Sequence, residues 1–366
     1  MQAQQLRRMA ERSAVAFLLA VLCVYPLYID KFSNLGVVKF TGICTLSWAF
    51  ALWLGALACV GARPDQGRLP WKADPALWAL GAVTASGVVS TVLSLSPGAS
   101  FWGLGGYYGG CMMVLFTAAG YLAVRAFAPQ KILNGLTFCV GVTTALVTVL
   151  YVLNIFNIDL IGAYADTAVV ERAQFFSTLG QKDFNGCFFS VALPIVFYQF
   201  LNAKDTRTAV WTGIPAAFGA LALAVVDSEA LALGIGAAVM VLVCHKSFTT
   251  RHLRRAALIS AAFFGWAAWM HYMRASVYTQ GGTALLAKLG AWQVALPCMA
   301  ASLLLWLVLF VLARKGIAAQ APLYLPGRVI TIAVLAVGAL AFVLANAMPN
   351  LPLPESLHNL LVFNDD

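Results

Sequence analysis

The chain alternates between long apolar stretches and short polar segments. The apolar stretches are close to the length of about 20 residues that a helix needs to cross a bilayer. The strands of a membrane β-barrel would instead alternate apolar and polar residues over about ten positions. Eleven segments show the helical pattern, at 14–29, 36–60, 77–95, 109–127, 132–155, 185–201, 209–226, 230–244, 256–273, 290–313 and 329–347.

The composition indicates that lipid is the solvent of this chain. It is 61% apolar and 10% charged, whereas soluble domains average about 45–50% apolar and about 25% charged residues. In hydrocarbon, every backbone N–H and C=O must be paired within the protein, which favours helices. We therefore predict an all-α polytopic membrane protein, in which residues 1–366 form a single transmembrane domain with about 11 helices.

The lysines and arginines indicate the orientation, because they are enriched in cytoplasmic loops. With a cytoplasmic N-terminus, six of the 23 fall at the outer side: Lys31, Lys39, Arg172, Lys182, Arg274 and Lys288. Residues 156–184 then form the longest external loop, and 348–366 form an external tail. The basic inner face would attract anionic membrane lipid, which explains the net charge of +9 without a nucleic-acid partner.

Some features that can signal processing or metal binding are interpreted as structural. Arg7, Arg8 and Arg12 precede the first segment as in a signal peptide, but no small-x-small cleavage site follows, so we interpret this segment as the first membrane helix. The eight cysteines form no CxxC pair, and the four histidines lack metal-ligand spacing. We expect neither a metal site nor a cofactor.

The first external segment with candidate chemistry runs from Ser94 to Gly110, and its core, Ser100 to Gly110, contains Trp102, Tyr107 and Tyr108. Aromatic residues at helix ends commonly anchor the helix at the membrane interface. Their faces also stack on sugar rings, and the neighbouring glycines allow close backbone approach. Interface anchoring and contact with a glycan or lipid both remain open for these residues.

The second external segment is the loop 156–184. It ends in Gly180-Gln181-Lys182-Asp183 before an apolar helix, where Asp183 is expected to be the N-cap. Free N–H groups and a cation at a helix N-terminus suit an anion such as a phosphate. Ordinary capping and anion binding are both compatible with this turn.

The third segment is Asp227-Ser228-Glu229, between two apolar segments that are close enough to form a tight helical hairpin. The carboxylates of Asp227 and Glu229 could act as a general acid and base, or bind a cation. A solvated turn explains them equally well.

Short motifs in these three segments are similar to the O-antigen ligase and polymerase family. The first is Ser177-Thr178-Leu179-Gly180-Gln181-Lys182-Asp183-Phe184, which resembles the family's Gly/Ser-Thr-Phe/Leu-Gly-Asn-x-Asn-Phe loop, with Gln181 and Asp183 at the two Asn positions. Ser100-Phe101-Trp102-Gly103 through Gly109-Gly110 resembles its Ser-Phe-x-Gly…Gly loop. The segment from Asp227 to Gly234 falls where members have Ser-Arg or Asp-Ser before a helix.

This resemblance implies a glycosyltransferase with a GT-C-like helical bundle in the bacterial cytoplasmic membrane. Members transfer or polymerise glycans linked to undecaprenyl pyrophosphate at the outer face, and no metal is required. The implied partners are a lipid-linked oligosaccharide donor and a glycan or glycolipid acceptor. The resemblance further implies that Arg172 and Lys182 bind the donor pyrophosphate.

The chain departs from the family pattern in two places. Ser228-Glu229 stands where members have Ser-Arg, so one phosphate-binding arginine is missing. The sequence also ends at Asp366, where the family's large external catalytic loop is expected to begin. This implies either a truncated copy or fragment, or a member that has lost its catalytic half. No residue is therefore assigned as catalytic, and whether this chain is itself an active enzyme stays open.

The main alternative is a lipid-linked sugar flippase or another multi-pass transporter. A transporter is expected to carry ionisable groups near the middle of its helices, or paired broken helices in an inverted repeat. The charges here cluster at helix ends instead. A non-catalytic membrane scaffold is compatible with every feature above.

Overall fold

The computed structural model describes residues 2–62, 75–103, 109–128, 133–169, 171–226, 228–277, 279, 289–317 and 320–347. These residues are predominantly helical. The helices are α1 (Gln2–Leu19), α2 (Leu35–Cys59), α3 (Pro75–Val92), α4 (Pro97–Trp102), α5 (Cys111–Phe127), α6 (Leu133–Ile155), α7 (Lys182–Asn202), α8 (Thr206–Val225), α9 (Glu229–Cys244), α10 (Thr250–Ser276), α11 (Trp292–Arg314) and α12 (Tyr324–Ala347). Each apolar segment predicted from the sequence overlaps one of the long helices. The predicted tail 348–366 lies outside the described residues.

Within the described residues, six helical segments are long and apolar enough to cross a membrane. They are Gln4–Leu27, Phe32–Cys59, Gly135–Ile155, Lys182–Asn202, Thr206–Val225 and Trp292–Arg314. Four more helical segments are apolar but shorter, namely Ala76–Val92, Cys111–Phe127, Glu229–Cys244 and Tyr324–Leu340. The structure is thus that of an all-α protein with candidate membrane spans along its length.

A central bundle holds the largest apolar core. Helices α6, α7 and α8 contact one another, α10 packs on α7 and α8, and α11 packs on α10. The core that they share includes Tyr151 of α6, Phe189 and Leu193 of α7, Leu221 of α8 and Met270 of α10. Burying such side chains contributes about 1.5–3 kcal/mol each relative to water, and in lipid the close packing itself stabilises the bundle.

Helix α9 packs mainly on α7, although the sequence allowed a tight hairpin between α8 and α9. The contact depends on Gly186 of α7, where an added Cβ would lie 2.0 Å from the hydroxyl oxygen of Ser228. Any larger residue would force the two segments apart. Ser228, just before α9, is therefore held against the start of α7, next to the end of the loop 156–184.

Outer helices of the molecule remain apolar but exposed. Leu304 and Val311 of α11 and Ile332 and Val337 of α12 are each more than two-fifths exposed. A helix that is apolar on all sides is typical of a membrane span, because water would make this exposure unfavourable. Lipid contact accounts for these surfaces.

The end of α1 departs from regular α-helix. The chain continues past Leu19 through a π-helical turn, Ala20–Val24, and a 3-10 turn, Tyr25–Leu27. Pro26 ends the helical run, since proline fixes its own φ and restricts the residue before it. The carbonyl groups of Tyr25 and Pro26 then become available to side chains from other elements, and this positions the site described below.

At the opposite end of α7, a buried arginine joins three helices. Arg255 of α10 donates through Nη1 to the carbonyl oxygens of Phe200, Leu201 and Ala203, at 3.0, 2.9 and 2.6 Å. These carbonyls belong to the last turn of α7 and to the chain just beyond it, where the helix offers no donors. The guanidinium group therefore fixes the corner between α7 and α8 onto α10.

Candidate functional site

The loop 156–184 ends in a small β-hairpin, which the sequence analysis did not predict. Strand β1 (Phe175–Phe176) pairs antiparallel with β2 (Gly180–Gln181), so that Phe175 faces Gln181 and Phe176 faces Gly180. Ser177 and Gly180 have φ values of 59° and 80°, which turn the chain sharply. Gly180 is favoured for two reasons. Glycine adopts a positive φ without strain, and any Cβ at this position would clash with the side chain of Leu35.

Two buried asparagines hold this hairpin. The Nδ2 group of Asn185 donates to the carbonyl oxygens of Phe176, Gly180 and Gln181 at 3.1, 3.0 and 3.1 Å. Asn154 accepts a hydrogen bond from the Ser177 N–H at 2.7 Å. Both side chains are buried, so each bond replaces water that the hairpin backbone has lost. Sequence reasoning assigned no role to either residue.

The hairpin is also bound to the turn that follows α1. The Thr178 hydroxyl donates to the Pro26 carbonyl oxygen at 2.7 Å. Nearby, the Phe32 N–H donates to the Ala163 carbonyl at 3.1 Å. Lys31 and Asp166 form an exposed ion pair at 2.7 Å, which raises the pKa of the Lys31 ammonium group above its usual value. The loop is therefore ordered by segments far apart in the sequence.

Tyr164 organises the first half of the loop. The Asp159 carboxylate accepts from the N–H groups of Ala163 and Tyr164, both at 2.9 Å, and the Tyr164 hydroxyl donates to the Phe175 carbonyl oxygen at 2.5 Å. Burial, together with the nearby Asp159 charge, raises the pKa of Tyr164 above its ordinary value. The tyrosine therefore remains protonated and keeps its hydrogen bond.

Arg172 is positioned by this tyrosine. Its guanidinium carbon lies 5.4 Å from the centre of the Tyr164 ring, and its Nε donates weakly to the Thr167 carbonyl at 3.4 Å. Within the part of the chain that the structure describes, no carboxylate forms an ion pair with Arg172. The cation is thus held in place by an aromatic ring and a backbone group, and its charge is available to an anion.

The residues after the hairpin begin helix α7. The prediction that Asp183 is the N-cap is wrong, because α7 begins at Lys182 and Gln181 is the N-cap residue. The helix starts earlier because the Asn185 side chain binds the backbone of the hairpin and brings β2 directly into the first turn. Asp183 instead accepts a long hydrogen bond of 3.4 Å from the Ser228 hydroxyl. Lys182 and Asp183 are both exposed.

A cavity of about 570 Å³ lies between α2, the start of α5 and the hairpin. Its lining is mostly apolar. The described residues that line it are Tyr25, Phe32, Leu35, Gly36, Lys39, Phe40, Ile43, Gly109, Met113, Gln174, Phe175, Leu179, Gln181 and Phe184. Of the sequence-predicted site residues that the structure describes, only Gln181 is in this lining. Arg172 and Lys182 are not.

Lys39 is the one cation among the described residues of this lining. Its ammonium group donates to the carbonyl oxygens of Tyr25 and Pro26 at 2.8 and 3.1 Å, and it lies 5.1 Å from the centre of the Tyr25 ring. The Pro26 carbonyl also accepts from Thr178, so the lysine and the hairpin share an acceptor. The sequence analysis counted Lys39 only as an external charge.

No protein-family model, curated protein or solved structure matches this chain. The resemblance to the O-antigen ligase and polymerase family therefore stays a prediction, based on the short motifs around Ser100, Ser177 and Asp227. The motif that begins at Ser177 covers the turn and the second strand of the hairpin and the first residues of α7. The geometry of the hairpin and of the start of α7 is therefore the structural basis for a proposed function.

The other predicted site residues are only partly described. Trp102 ends α4, is about half exposed and packs edge-on against Phe101 at 5.2 Å between ring centres. Glu229 is the exposed first residue of α9. Tyr107, Tyr108 and Asp227 lie outside the described residues. The proposed glycan contact and acid–base pair therefore stay predictions.

The side chains that could bind a metal ion are dispersed in the described part of the chain. No three side chains of His, Cys, Asp or Glu among them lie close enough together to hold a metal ion. The polar side chains of this region include the cations Arg172 and Lys39 and the amides of Gln174 and Gln181, which are chemically suited to an anion.

Proposed function

We propose that this chain is an O-antigen ligase-like membrane protein that transfers or polymerises glycans linked to undecaprenyl pyrophosphate. The proposal places all eleven long helices across the bacterial cytoplasmic membrane, in a GT-C-like bundle with the N-terminus in the cytoplasm. The loop 156–184 then lies at the outer face, where the lipid-linked donor and a glycan or glycolipid acceptor would meet.

The observation that carries the proposal is the positioned Arg172. The loop around it is ordered by hydrogen bonds of Asn154, Asn185 and Tyr164. The backbone that carries Arg172 is therefore fixed, which restricts the position of its guanidinium group. A fixed guanidinium group can form paired hydrogen bonds to phosphate oxygens. It would stabilise the charge that develops on a pyrophosphate leaving group as the glycan is transferred.

The adjacent cavity gives further support. A donor of this class combines a charged diphosphate with a long isoprenoid chain, and so requires cations next to an apolar surface. The hairpin offers both, since Arg172 contacts Tyr164 while Phe175 and Leu179 line the cavity. The Tyr164 hydroxyl and the Phe175 carbonyl link the two by a hydrogen bond.

Substituting Arg172→Ala tests the proposal. Loss of one charge-stabilising donor typically lowers a transfer rate by about 10²–10³, so surface glycan carrying the transferred unit should fall to near background. The measurement is gel analysis of surface glycan from cells in which the chromosomal gene carries the substitution. Protein level in the membrane is checked on the same cells.

Arg328→Ala is the matched control. Its guanidinium carbon also lies 5.4 Å from a tyrosine ring, that of Tyr324, and its Nε also donates to a backbone carbonyl, at 3.2 Å. The proposal places Arg328 on the cytoplasmic side, so this variant should retain transfer. Normal glycan in the Arg172→Ala strain would remove Arg172 from the site and contradict the proposal.

A further inference from the structure

The cavity beside the hairpin has one polar side and a large apolar surface. Lys39, Gln174 and Gln181 supply the polar groups. Phe32, Leu35, Phe40, Ile43 and Met113 are among the apolar lining residues. At about 570 Å³, the cavity lies within the range of about 300–1,000 Å³ that is typical of small-molecule sites. Its lining therefore suits an amphiphile better than a polar solute.

Lys39 determines the charge of this amphiphile. Two neutral carbonyl groups and an aromatic ring contact its ammonium group, and the described lining contains no carboxylate. A partly buried charge with no counterion is unfavourable, and an anion would compensate it. An ammonium group has three N–H donors, and the hydrogen bonds within the described residues use two of them.

The amides of Gln174 and Gln181 fit the same ligand. Each carries an NH₂ group that can donate to an oxygen, and both residues lie on the hairpin side of the cavity. Phosphate oxygens accept several hydrogen bonds at once, and a hydrogen bond from a charged donor is about twice as strong as one from a neutral donor. The polar side of the cavity is therefore suited to a phosphate group.

We propose that this cavity binds the phosphate group of an isoprenoid lipid, with Lys39 as the cation that holds it and the apolar lining around the adjoining part of the chain. The identity of the lipid rests on the proposed function, because a lipid-linked glycan donor is such a molecule. The site is distinct from Arg172, which does not line the cavity. Arg172 contacts the ring of Tyr164, whose hydroxyl donates to the Phe175 carbonyl oxygen.

Binding of undecaprenyl monophosphate to the purified full chain in detergent micelles tests this site. Lys39→Gln removes the charge but keeps an amide that can donate to the Tyr25 and Pro26 carbonyls. It should weaken binding by about tenfold or more, as expected for loss of a charged hydrogen-bond donor. Lys31→Met removes a cation from the same external region, one that is exposed and paired with Asp166, and should leave affinity within about twofold.

Two further arms identify the ligand. Inorganic phosphate and phosphatidylglycerol are each added as a competitor of undecaprenyl monophosphate. Neither should displace it at equal concentration, because inorganic phosphate lacks an apolar chain and phosphatidylglycerol differs in both headgroup and chain. Equal displacement by inorganic phosphate would show that the chain contributes nothing and would overturn the lipid assignment. Equal displacement by phosphatidylglycerol would overturn the assignment to an isoprenoid.

A second variant keeps the test decisive if Lys39→Gln unfolds. Met113→Trp enlarges a side chain that lines the cavity from α5 and leaves Lys39 in place, so it should also weaken binding by about tenfold. Unchanged affinity in a folded Lys39→Gln protein, or in Met113→Trp, would overturn the inference. If glycan transfer requires Arg172 but the affinity for undecaprenyl monophosphate does not change in Lys39→Gln, only this inference fails. If binding requires Lys39 but the wild type shows no transfer, only the proposed function fails.

Discussion

At the scale of single residues, the site depends on side chains whose partners are distant in the sequence. The turn residues Gly180 and Gln181 and the cation Arg172 could be identified because their local pattern indicates a turn and a positive charge. Asn154 and Lys39 could not, since their hydrogen-bond partners lie 23 and 13–14 residues away along the chain. A polar residue inside an apolar helix signals a function only after the fold shows what it contacts.

The three carbonyl groups bound by Asn185 provide a prediction at this scale. Asn185→Ala leaves these buried acceptors without their donor, and each such loss typically costs about 1–3 kcal/mol. We expect a clear decrease in the thermal unfolding temperature in detergent micelles, together with weaker protease resistance of the loop 156–184.

Asn34→Ala is the control for this variant, since the Asn34 amide donates to Asp30 in an exposed bond. Its cost should stay below about 1 kcal/mol. Equal stability of the Asn185→Ala and wild-type proteins would show that Asn185 does not hold the hairpin.

At the scale of elements, the periodicity of the sequence predicts the long helices and misses the short structures between them. A run of about 20 apolar residues has one stable form in lipid, so each predicted segment became a helix. The two-residue strands β1 and β2 are too short to show any alternation, and the hairpin forms because Asn154 and Asn185 bind its backbone. The π-helical turn at Ala20–Val24 likewise has no sequence signal that we recognised.

The corner between α7, α8 and α10 provides a prediction at this scale. Arg255→Met removes the donor to three carbonyl groups at the end of α7, and we expect unfolding to become easier by about 1–3 kcal/mol. The measurement is again the thermal unfolding temperature in micelles.

Arg254→Met is the matched control for Arg255→Met. Arg254 precedes Arg255 on the same helix, and its guanidinium carbon lies 5.8 Å from the centre of the Phe310 ring. The sequence cannot distinguish the two arginines, as both belong to the group of basic residues that is predicted to be cytoplasmic. A larger loss of stability in Arg254→Met than in Arg255→Met would contradict the role of Arg255.

At the scale of the whole molecule, the apolar helices and the distribution of lysine and arginine give one consistent arrangement. Exposed apolar surfaces on α11 and α12 fit contact with lipid, and most basic residues fall at one set of helix ends. In this arrangement α7 crosses the membrane with its N-terminus outside. The proposed transfer reaction depends on that direction, because Arg172 and the cavity lie at the same end.

Labelling the two ends of α7 from outside tests this arrangement most directly. Glu171→Cys lies in the exposed part of the loop and Lys204→Cys in the exposed turn after α7, each in a chain whose eight native cysteines are replaced by serine or alanine. Intact spheroplasts are treated with a membrane-impermeant maleimide. We predict labelling of Glu171→Cys in intact spheroplasts, and labelling of Lys204→Cys only after lysis. The opposite pattern would place Arg172 in the cytoplasm and contradict the account.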